Sequence, residues 1–388
     1  MGRPNIGDRG RLRRRIDDLL DRRWLTNYGP YVEELERRLS DLTGARHCVA
    51  MCNATAALEI LVKATGLTGE VIVPSFTFVA TAHALQWLGV TPVFADVDAR
   101  SHTLDPAEVE RLVTPRTTGI IGVHLWGRAC DVDALTATAA RHNLTLIFDA
   151  AHAVACSRRG RMVGTFGRAE VFSFHATKIV NSFEGGAVTT NDDALAATLR
   201  LMQNFGFAAY DEVVGVGTNA KMNEASAAMA LTSLESLDDF VAVNARNHRC
   251  YARELTGTPG IRVLAYEETE RSNYQYVVLE VDDTAFGIER DDLQRILWAE
   301  QVLARRYFYP GCHRVEPYRS TPPPGGWHLP TTEGLCARVL CLPTGTAVDP
   351  AHVATISAII RTVGRHADEI RHRLRRDASV PMPSAGPE

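Results

Sequence analysis

The run Leu144-Thr145-Leu146-Ile147-Phe148-Asp149 decides the fold prediction, because it has the character of a buried strand that ends in an acid. A second short run with the same character, Glu170-Val171-Phe172-Ser173-Phe174, leads to Lys178. Further strand candidates are separated by helical patterns of roughly ten to fifteen residues, as in β–α–β units, and lie at 71–73, 93–95 and 119–123. This alternation predicts an α/β fold with a mostly parallel sheet covered on both faces.

Asp149 and Lys178 each follow a strand of this predicted sheet. Ligands of an open parallel sheet collect at the carboxyl ends of its strands, so we expect both side chains at one crevice. A lysine amine condenses with the aldehyde of pyridoxal 5′-phosphate (PLP), and a carboxylate keeps the pyridine nitrogen of that ring protonated. Alone, the lysine is explained as a surface charge and the acid as a helix cap. Their combination predicts a PLP site with Lys178 and Asp149 as its catalytic residues.

The segment Asn53-Ala54-Thr55-Ala56-Ala57 is the candidate phosphate site. It opens a helical run from Leu58, whose first-turn N–H groups and dipole would face an anion. Its small residues allow close approach, and Thr55 adds a hydroxyl. Ser173, five residues before Lys178, is the candidate second hydroxyl. Taken alone, the segment is also explained as an ordinary helix start capped by Asn53 or Thr55.

Further motifs extend over most of the chain. They are Trp24-Leu25-Thr26-Asn27, Gly29-Pro30-Tyr31-Val32, Pro74-Ser75-Phe76-Thr77-Phe78, Val123-His124-Leu125-Trp126-Gly127, Gly217-Thr218-Asn219-Ala220-Lys221-Met222-Asn223-Glu224, Tyr309-Pro310 with His313, and Leu342-Pro343. With the lysine and aspartate motifs, they resemble the DegT/DnrJ/StrS family of PLP-dependent sugar aminotransferases from about residue 24 to about residue 365. The resemblance implies the aspartate aminotransferase type of fold (type I), with a large domain and a smaller C-terminal α+β domain.

The resemblance also implies roles for individual residues. Phe78 would stack on the cofactor ring, and His152 would lie near the ring hydroxyl. The phosphate would be held across the two subunits of a homodimer with shared active sites, by Thr55, Ala56 and Ser173 of one subunit and Asn219 of the other. Candidates for substrate contacts, by position, are Asn181, Tyr309 and His313.

The expected reaction moves an amino group from L-glutamate to a keto group of a nucleotide-linked deoxysugar. Lys178 would carry the proton in both halves. The His-Ala-Thr-Lys and Phe-Glu-Gly-Gly versions of the motifs look most like members that act on dTDP-4-keto-6-deoxyglucose, in amino-sugar and antibiotic biosynthesis. A 3-keto sugar or an aminocyclitol precursor stays open as the acceptor.

Other functional classes fit the chain less well. The resemblance implies that sugar dehydratases carry histidine at the position of Lys178, which favours transamination. A nicotinamide enzyme needs a complete Gly-x-Gly-x-x-Gly turn, which Gly215-Val216-Gly217 does not provide. A regulator without turnover on the same fold stays open. Two departures from the family, Phe183 for Gly and Lys221 for Arg, would reshape the sugar pocket.

The composition of the chain limits which partners and which cellular compartment are expected. With 42 basic and 46 acidic residues among 388, the net charge of −4 gives no general reason to expect nucleic-acid binding. The sequence has no run of about 18 apolar residues, so we predict no membrane span. No apolar signal region follows Met1-Gly2-Arg3-Pro4 either, so we expect a cytoplasmic enzyme. The eight cysteines form no Cys-x-x-Cys pair, and for such an enzyme we predict reduced thiols and no metal site. Arg305 and Arg306 are explained equally as partners of a diphosphate or as solvated charges.

We predict four segments: an N-terminal helical arm (1–26), a large PLP-binding domain (27–245), a small C-terminal domain (246–376) and a disordered tail (377–388). The arm contains seven arginines between residues 9 and 23, with apolar residues at helical spacing. Other elements are predicted from the same kind of periodicity, as helices at 32–42, 223–237, 238–255 and 290–301 and a strand at 274–281.

Overall fold

The computed structural model describes residues 3–376, and the tail predicted at 377–388 lies outside the described residues. The helices are α1 (Arg9–Arg22), α2 (Pro30–Thr43), α3 (Ala54–Ala64), α4 (Ala80–Trp87), α5 (Pro106–Leu112), α6 (Val132–Arg141), α7 (Asp193–Met202), α8 (Glu224–Leu234), α9 (Leu237–Leu255), α10 (Asp283–Phe286), α11 (Arg290–Ala299), α12 (Pro330–Arg338), α13 (Pro350–Arg365) and α14 (Ala367–Arg376). The strands are β1 (His47–Met51), β2 (Glu70–Pro74), β3 (Thr91–Ala95), β4 (Thr117–Val123), β5 (Thr145–Asp149), β6 (Ser157–Arg158), β7 (Arg161–Met162), β8 (Glu170–Ser173), β9 (Gly186–Thr190), β10 (Phe207–Ala209), β11 (Glu212–Val213), β12 (Ile261–Val263), β13 (Val277–Val281) and β14 (Val339–Leu342).

A seven-stranded sheet with the order β1-β9-β8-β5-β4-β2-β3 forms the centre of the larger part of the chain. The pairs β2–β3, β2–β4, β4–β5 and β5–β8 are parallel, whereas β9 runs antiparallel to both β8 and β1. The predicted mostly parallel sheet is therefore confirmed. The prediction did not contain β1 and β9.

Alternate residues of this sheet enter two separate hydrophobic cores. On β2, Ile72 belongs to the core that includes residues of α2, α5, α6 and α8, whereas Val71 and Val73 belong to the core that includes residues of α3, α4 and α7. Burying each such aliphatic side chain contributes roughly 1.5–3 kcal/mol relative to leaving it exposed. Both faces of the sheet are covered, as predicted.

A second, antiparallel sheet, β12-β13-β14, has its own core with α9, α11 and α13. Helix α9 connects the two parts, because Leu237 and Phe240 lie in the core of the large sheet whereas Tyr251 and Leu255 lie in the core of the small one. The domain boundary predicted after residue 245 falls inside this helix and stays a prediction.

Most predicted elements are present within a few residues of their predicted ends. The strand predicted at 274–281 begins only at Val277, because Tyr274 has a left-handed φ of 50° that interrupts the extended run. The arginine-rich segment forms α1, which lies on α8: Arg15 donates to the Thr232 hydroxyl at 2.8 Å and pairs with Glu235. None of the described helices is both long enough and apolar enough to cross a bilayer.

Candidate active site

A cavity of about 350 Å³ opens where three parallel strands end, and it is lined by Val123, Asp149 and Ser173 from the last positions of β4, β5 and β8. Six of the residues predicted for the cofactor line it: Thr55, Phe78, Asp149, His152, Ser173 and Lys178. The structure therefore brings the predicted lysine and aspartate to one crevice at the carboxyl ends of the strands.

Lys178 lies in the turn that follows β8, where its N–H donates to the carbonyl of His175 at 2.8 Å. Burial lowers the pKa of the Lys178 amine to about 8, and the Asp149 carboxylate acts in the opposite direction. A lysine with a lowered pKa is neutral in a larger fraction of molecules near neutral pH than an exposed lysine. The amine is thus suited to attack a carbonyl carbon and to exchange a proton.

Asp149 is buried, and each of its carboxylate oxygens accepts a hydrogen bond. The Thr81 hydroxyl donates to Oδ2 at 2.8 Å, and the N–H of Ala151 donates to Oδ1 at 3.0 Å. Thr77 lies 3.1 Å from Thr81, hydroxyl to hydroxyl. These contacts hold the plane of the carboxylate, as a partner for a protonated ring nitrogen requires.

The first turn of α3 forms another wall of the cavity. The Asn53 side chain caps this helix by accepting from the N–H of Ala56 at 2.8 Å, so the capping interpretation is confirmed and that N–H is already used. Thr55 lines the cavity, but Ala56 does not. A Cβ on Gly186 would lie 2.7 Å from the backbone nitrogen of Ala54, so only glycine allows β9 to approach this turn.

His152 is buried against an aromatic wall. Its Nε2 lies 2.9 Å from the Tyr276 hydroxyl, and its ring stacks on Trp126 at 6.1 Å. Burial, together with the charge of Lys178, lowers the pKa of His152 well below its usual value, so the imidazole is neutral. Its Nδ1 has no hydrogen-bond partner among residues 3–376. A buried polar atom without a partner marks a place for a ligand group.

These residues fit PLP. They offer an amine with a lowered pKa, an oriented carboxylate, an unused imidazole nitrogen, and two hydroxyls beside a helix N-terminus, all around one cavity. Within the described part of the chain, no cluster of three or more His, Cys, Asp or Glu side chains is arranged to hold a metal ion. All eight cysteines are free thiols.

The other predicted residues lie outside the lining of this cavity. Asn181 is buried, donating to the carbonyl of Asn5 at 3.1 Å and accepting from the N–H of Phe183 at 2.8 Å. His313 is also buried, with its Nδ1 2.7 Å from the Ser75 hydroxyl.

Two further candidates are more exposed. The ring of Tyr309 lies beneath the guanidinium of Arg306, and the carboxamide oxygen of Asn219 accepts from Lys221 at 2.8 Å. The functional roles of Asn181, His313, Tyr309 and Asn219 stay predictions.

Several residues at the cavity were missed as site residues. Thr81 contacts Asp149, and Tyr276, Tyr307 and Phe308 line the cavity. Arg305, which the sequence left open as a diphosphate partner or a solvated charge, lines it as well. Thr81 lies three residues after Phe78, but a threonine at this position does not by itself predict a contact with Asp149. The other four belong to the C-terminal part of the chain, and only its packing against the large sheet brings them to the cavity.

Comparison with known proteins identifies the relatives of this chain. A model of the DegT/DnrJ/EryC1/StrS aminotransferase family matches residues 8–361. The chain is 32% identical over 360 residues to the dTDP-4-amino-4,6-dideoxy-D-glucose transaminase of Escherichia coli, covering 92% of this chain and 96% of that protein. The crystal structure of DesI in the presence of its TDP-sugar product is 51% identical, with a TM-score of 0.93, covering 96% of this chain and 95% of that one.

A DegT DnrJ EryC1 StrS aminotransferase from Brucella abortus is 31% identical with a TM-score of 0.84, and the match covers 92% of this chain and 95% of that chain. These similarities confirm the expected type I aminotransferase fold and the expected enzyme class. The chain belongs to the DegT/DnrJ/EryC1/StrS aminotransferase family.

Proposed function

We propose that this enzyme uses PLP to move an amino group from L-glutamate to the keto group of a nucleotide-linked deoxysugar, dTDP-4-keto-6-deoxyglucose. The observation that carries the proposal is the position of Lys178 and Asp149 on one cavity at the strand ends. The name of the Escherichia coli relative and the TDP-sugar product of DesI support the nucleotide sugar.

Bound PLP would supply an electron sink that weakens the bond between hydrogen and the carbon carrying nitrogen. Lys178, with a pKa lowered to about 8, would accept that proton and return it at the neighbouring carbon. Asp149, held by Thr81 and the N–H of Ala151, would keep the ring nitrogen protonated. In the tautomer in which Nε2 accepts from the Tyr276 hydroxyl, His152 would offer its Nδ1 proton to the ring oxygen.

The proposal includes a homodimer in which Asn219 acts on the partner's site. Exposed apolar side chains cluster in the segment that precedes Asn219: Phe205, Phe207, Tyr210, Val213, Val214 and Val216. Phe78, although it lines the cavity, is also about half exposed. An apolar patch of this kind marks an interaction surface, and a second copy that covers it would bring Asn219 towards the cavity.

The test is the absorbance spectrum of the purified protein. Addition of PLP should produce the visible band of a lysine-bound cofactor, and L-glutamate should replace it with a near-ultraviolet band. Adding dTDP-4-keto-6-deoxyglucose should restore the visible band and give an amino sugar that mass spectrometry detects. A visible band that L-glutamate leaves unchanged would contradict the donor, and restoration only by a 3-keto isomer would contradict the acceptor.

A further inference from the structure

Arg305 is a cation that lines the cavity. It has no role in the proposed proton transfers. Its Nη1 donates to the hydroxyl of Tyr307 at 3.1 Å, and its guanidinium lies over the ring of Tyr307 at 5.4 Å from the ring centroid. Arginine stays protonated at every pH at which the enzyme works. The half-buried guanidinium therefore places a permanent positive charge on the cavity that Lys178 and Asp149 also line.

The backbone fixes the direction of this side chain. Arg305 and Cys341 exchange two backbone hydrogen bonds, of 3.0 and 2.8 Å, which attach residue 305 to β14. The next residue, Arg306, points elsewhere: it pairs with Asp291 at 2.9 Å, lies over the Tyr309 ring at 4.3 Å and does not line the cavity. Two adjacent arginines thus have separate surroundings, and Arg305 is the one directed to the site.

Consecutive ring contacts connect Arg305 to the inner part of the cavity. The rings of His152 and Tyr276 lie 4.5 Å apart, those of Tyr276 and Tyr307 5.7 Å apart, and Arg305 follows on Tyr307. This wall is built by other elements than the α3 turn with Thr55, which the cofactor phosphate would use. A substrate that reacts beside Lys178 would therefore face an anion-binding group on a different wall from the one proposed for the cofactor phosphate.

Rigid guanidinium groups bind carboxylates and phosphates through paired N–H donors. We infer that Arg305, with Tyr307, forms a subsite for an anionic oxygen group of the substrate, namely a carboxylate of the amino donor. This inference rests on the proposed function. The diphosphate of the nucleotide sugar offers the same chemistry, and the two sources are separable because each half of the reaction has its own anion.

Binding of unreactive probes to the PLP-loaded enzyme tests the subsite. Glutarate carries the two carboxylates of the donor without its amine, and thymidine diphosphate carries the phosphates of the acceptor without its sugar. Isothermal titration calorimetry would give the Kd of each probe for the wild type, Arg305→Gln, Arg305→Lys and the matched control Arg306→Gln. Thermal unfolding of each variant would verify that it is folded.

We expect Arg305→Gln to raise the Kd for glutarate about tenfold or more, Arg305→Lys to raise it less, and Arg306→Gln to change it by less than about twofold. A loss confined to thymidine diphosphate would overturn the assignment to the donor carboxylate and give the anion subsite to the nucleotide. Unchanged affinity for both probes in Arg305→Gln, or equal losses in Arg306→Gln, would overturn the subsite. A wild type that binds glutarate but forms no visible band with PLP would instead refute the proposed function.

Discussion

The hydroxyl of Thr81 donates a hydrogen bond to Oδ2 of Asp149 at 2.8 Å, and both residues are buried. Thr81 comes from the first turn of α4, whereas Asp149 ends β5. The carboxylate is therefore held by the N–H of Ala151, just after its own strand, and by a side chain of helix α4. This contact gives Thr81 a role in positioning the residue that would face the cofactor nitrogen.

Replacing Thr81 with valine keeps the shape of the side chain and removes the donor. We expect the Kd for PLP to rise about tenfold, because a hydrogen bond to a charged group contributes roughly 1.5–3 kcal/mol. Fluorescence titration of the apo-protein measures this. The control is Thr189→Val, since the buried Thr189 hydroxyl has no hydrogen-bond partner within residues 3–376. Equal PLP affinity in both variants would contradict the role of Thr81.

The lowered pKa of Lys178 predicts how cofactor attachment depends on pH. Attack requires the neutral amine, so the rate at which the visible band appears should rise with pH around a midpoint near 8. Asp149 opposes the effect of burial, so Asp149→Asn should move that midpoint to lower pH. Stopped-flow mixing of apo-protein with PLP measures the rates. Glu235→Gln, which removes a carboxylate that pairs with Arg15 of α1, should leave the midpoint unchanged.

Phe183 has a φ of 62° and is about half exposed. Because this left-handed conformation costs about 1–2 kcal/mol for residues with a Cβ, Phe183→Gly should be more stable than Phe183→Ala by about 1 kcal/mol. Urea unfolding measures the difference. At the exposed Leu20 in α1 the order should be reversed, because glycine is the poorer helix former there. Alanine more stable than glycine at both positions would contradict the strain at residue 183.

A shared active site predicts complementation between inactive subunits. Lys178→Ala removes the covalent attachment, and Asn219→Asp adds a negative charge where the phosphate is expected. Heterodimers of the two variants should regain partial activity, because one of their two sites has both residues intact. Heterodimers of Lys178→Ala with Lys178→Met should stay inactive. No recovery in verified heterodimers of the first pair would count against Asn219 acting across the interface.

The parallel strands could be predicted because they are buried on both faces and form continuous apolar runs between helices. Strands β1 and β9 were missed for different reasons. His47–Met51 joins the helix-capping segment without a turn signal, and Gly186–Thr190 begins with small residues that have low strand propensity. Their pairing is also antiparallel and connects residues far apart in the chain, which no local pattern indicates.

Lys178 and Asp149 could be predicted because the chemistry requires those residue types after two neighbouring strands. Contacts that depend on packing between distant segments could not. His313 is enclosed by Ser75 and Glu333, and Arg305 reaches the cavity through its pairing with Cys341 on β14. Residue type alone does not predict that His313 is enclosed whereas Arg305 lines the cavity. The resemblance carried most of the remaining assignments, and the role it implies for Ala56, whose N–H bonds to the Asn53 side chain, stays a prediction.

Helix α9 carries side chains of two cores, Leu237 and Phe240 at one end and Tyr251 and Leu255 at the other. Neither sheet can lose its packing without freeing part of a helix on which the other depends. Cutting the chain near residue 245 would expose an apolar surface on both fragments. The two parts should therefore melt in a single cooperative transition, so that damage to one end of the molecule lowers the resistance of the whole chain to proteolysis.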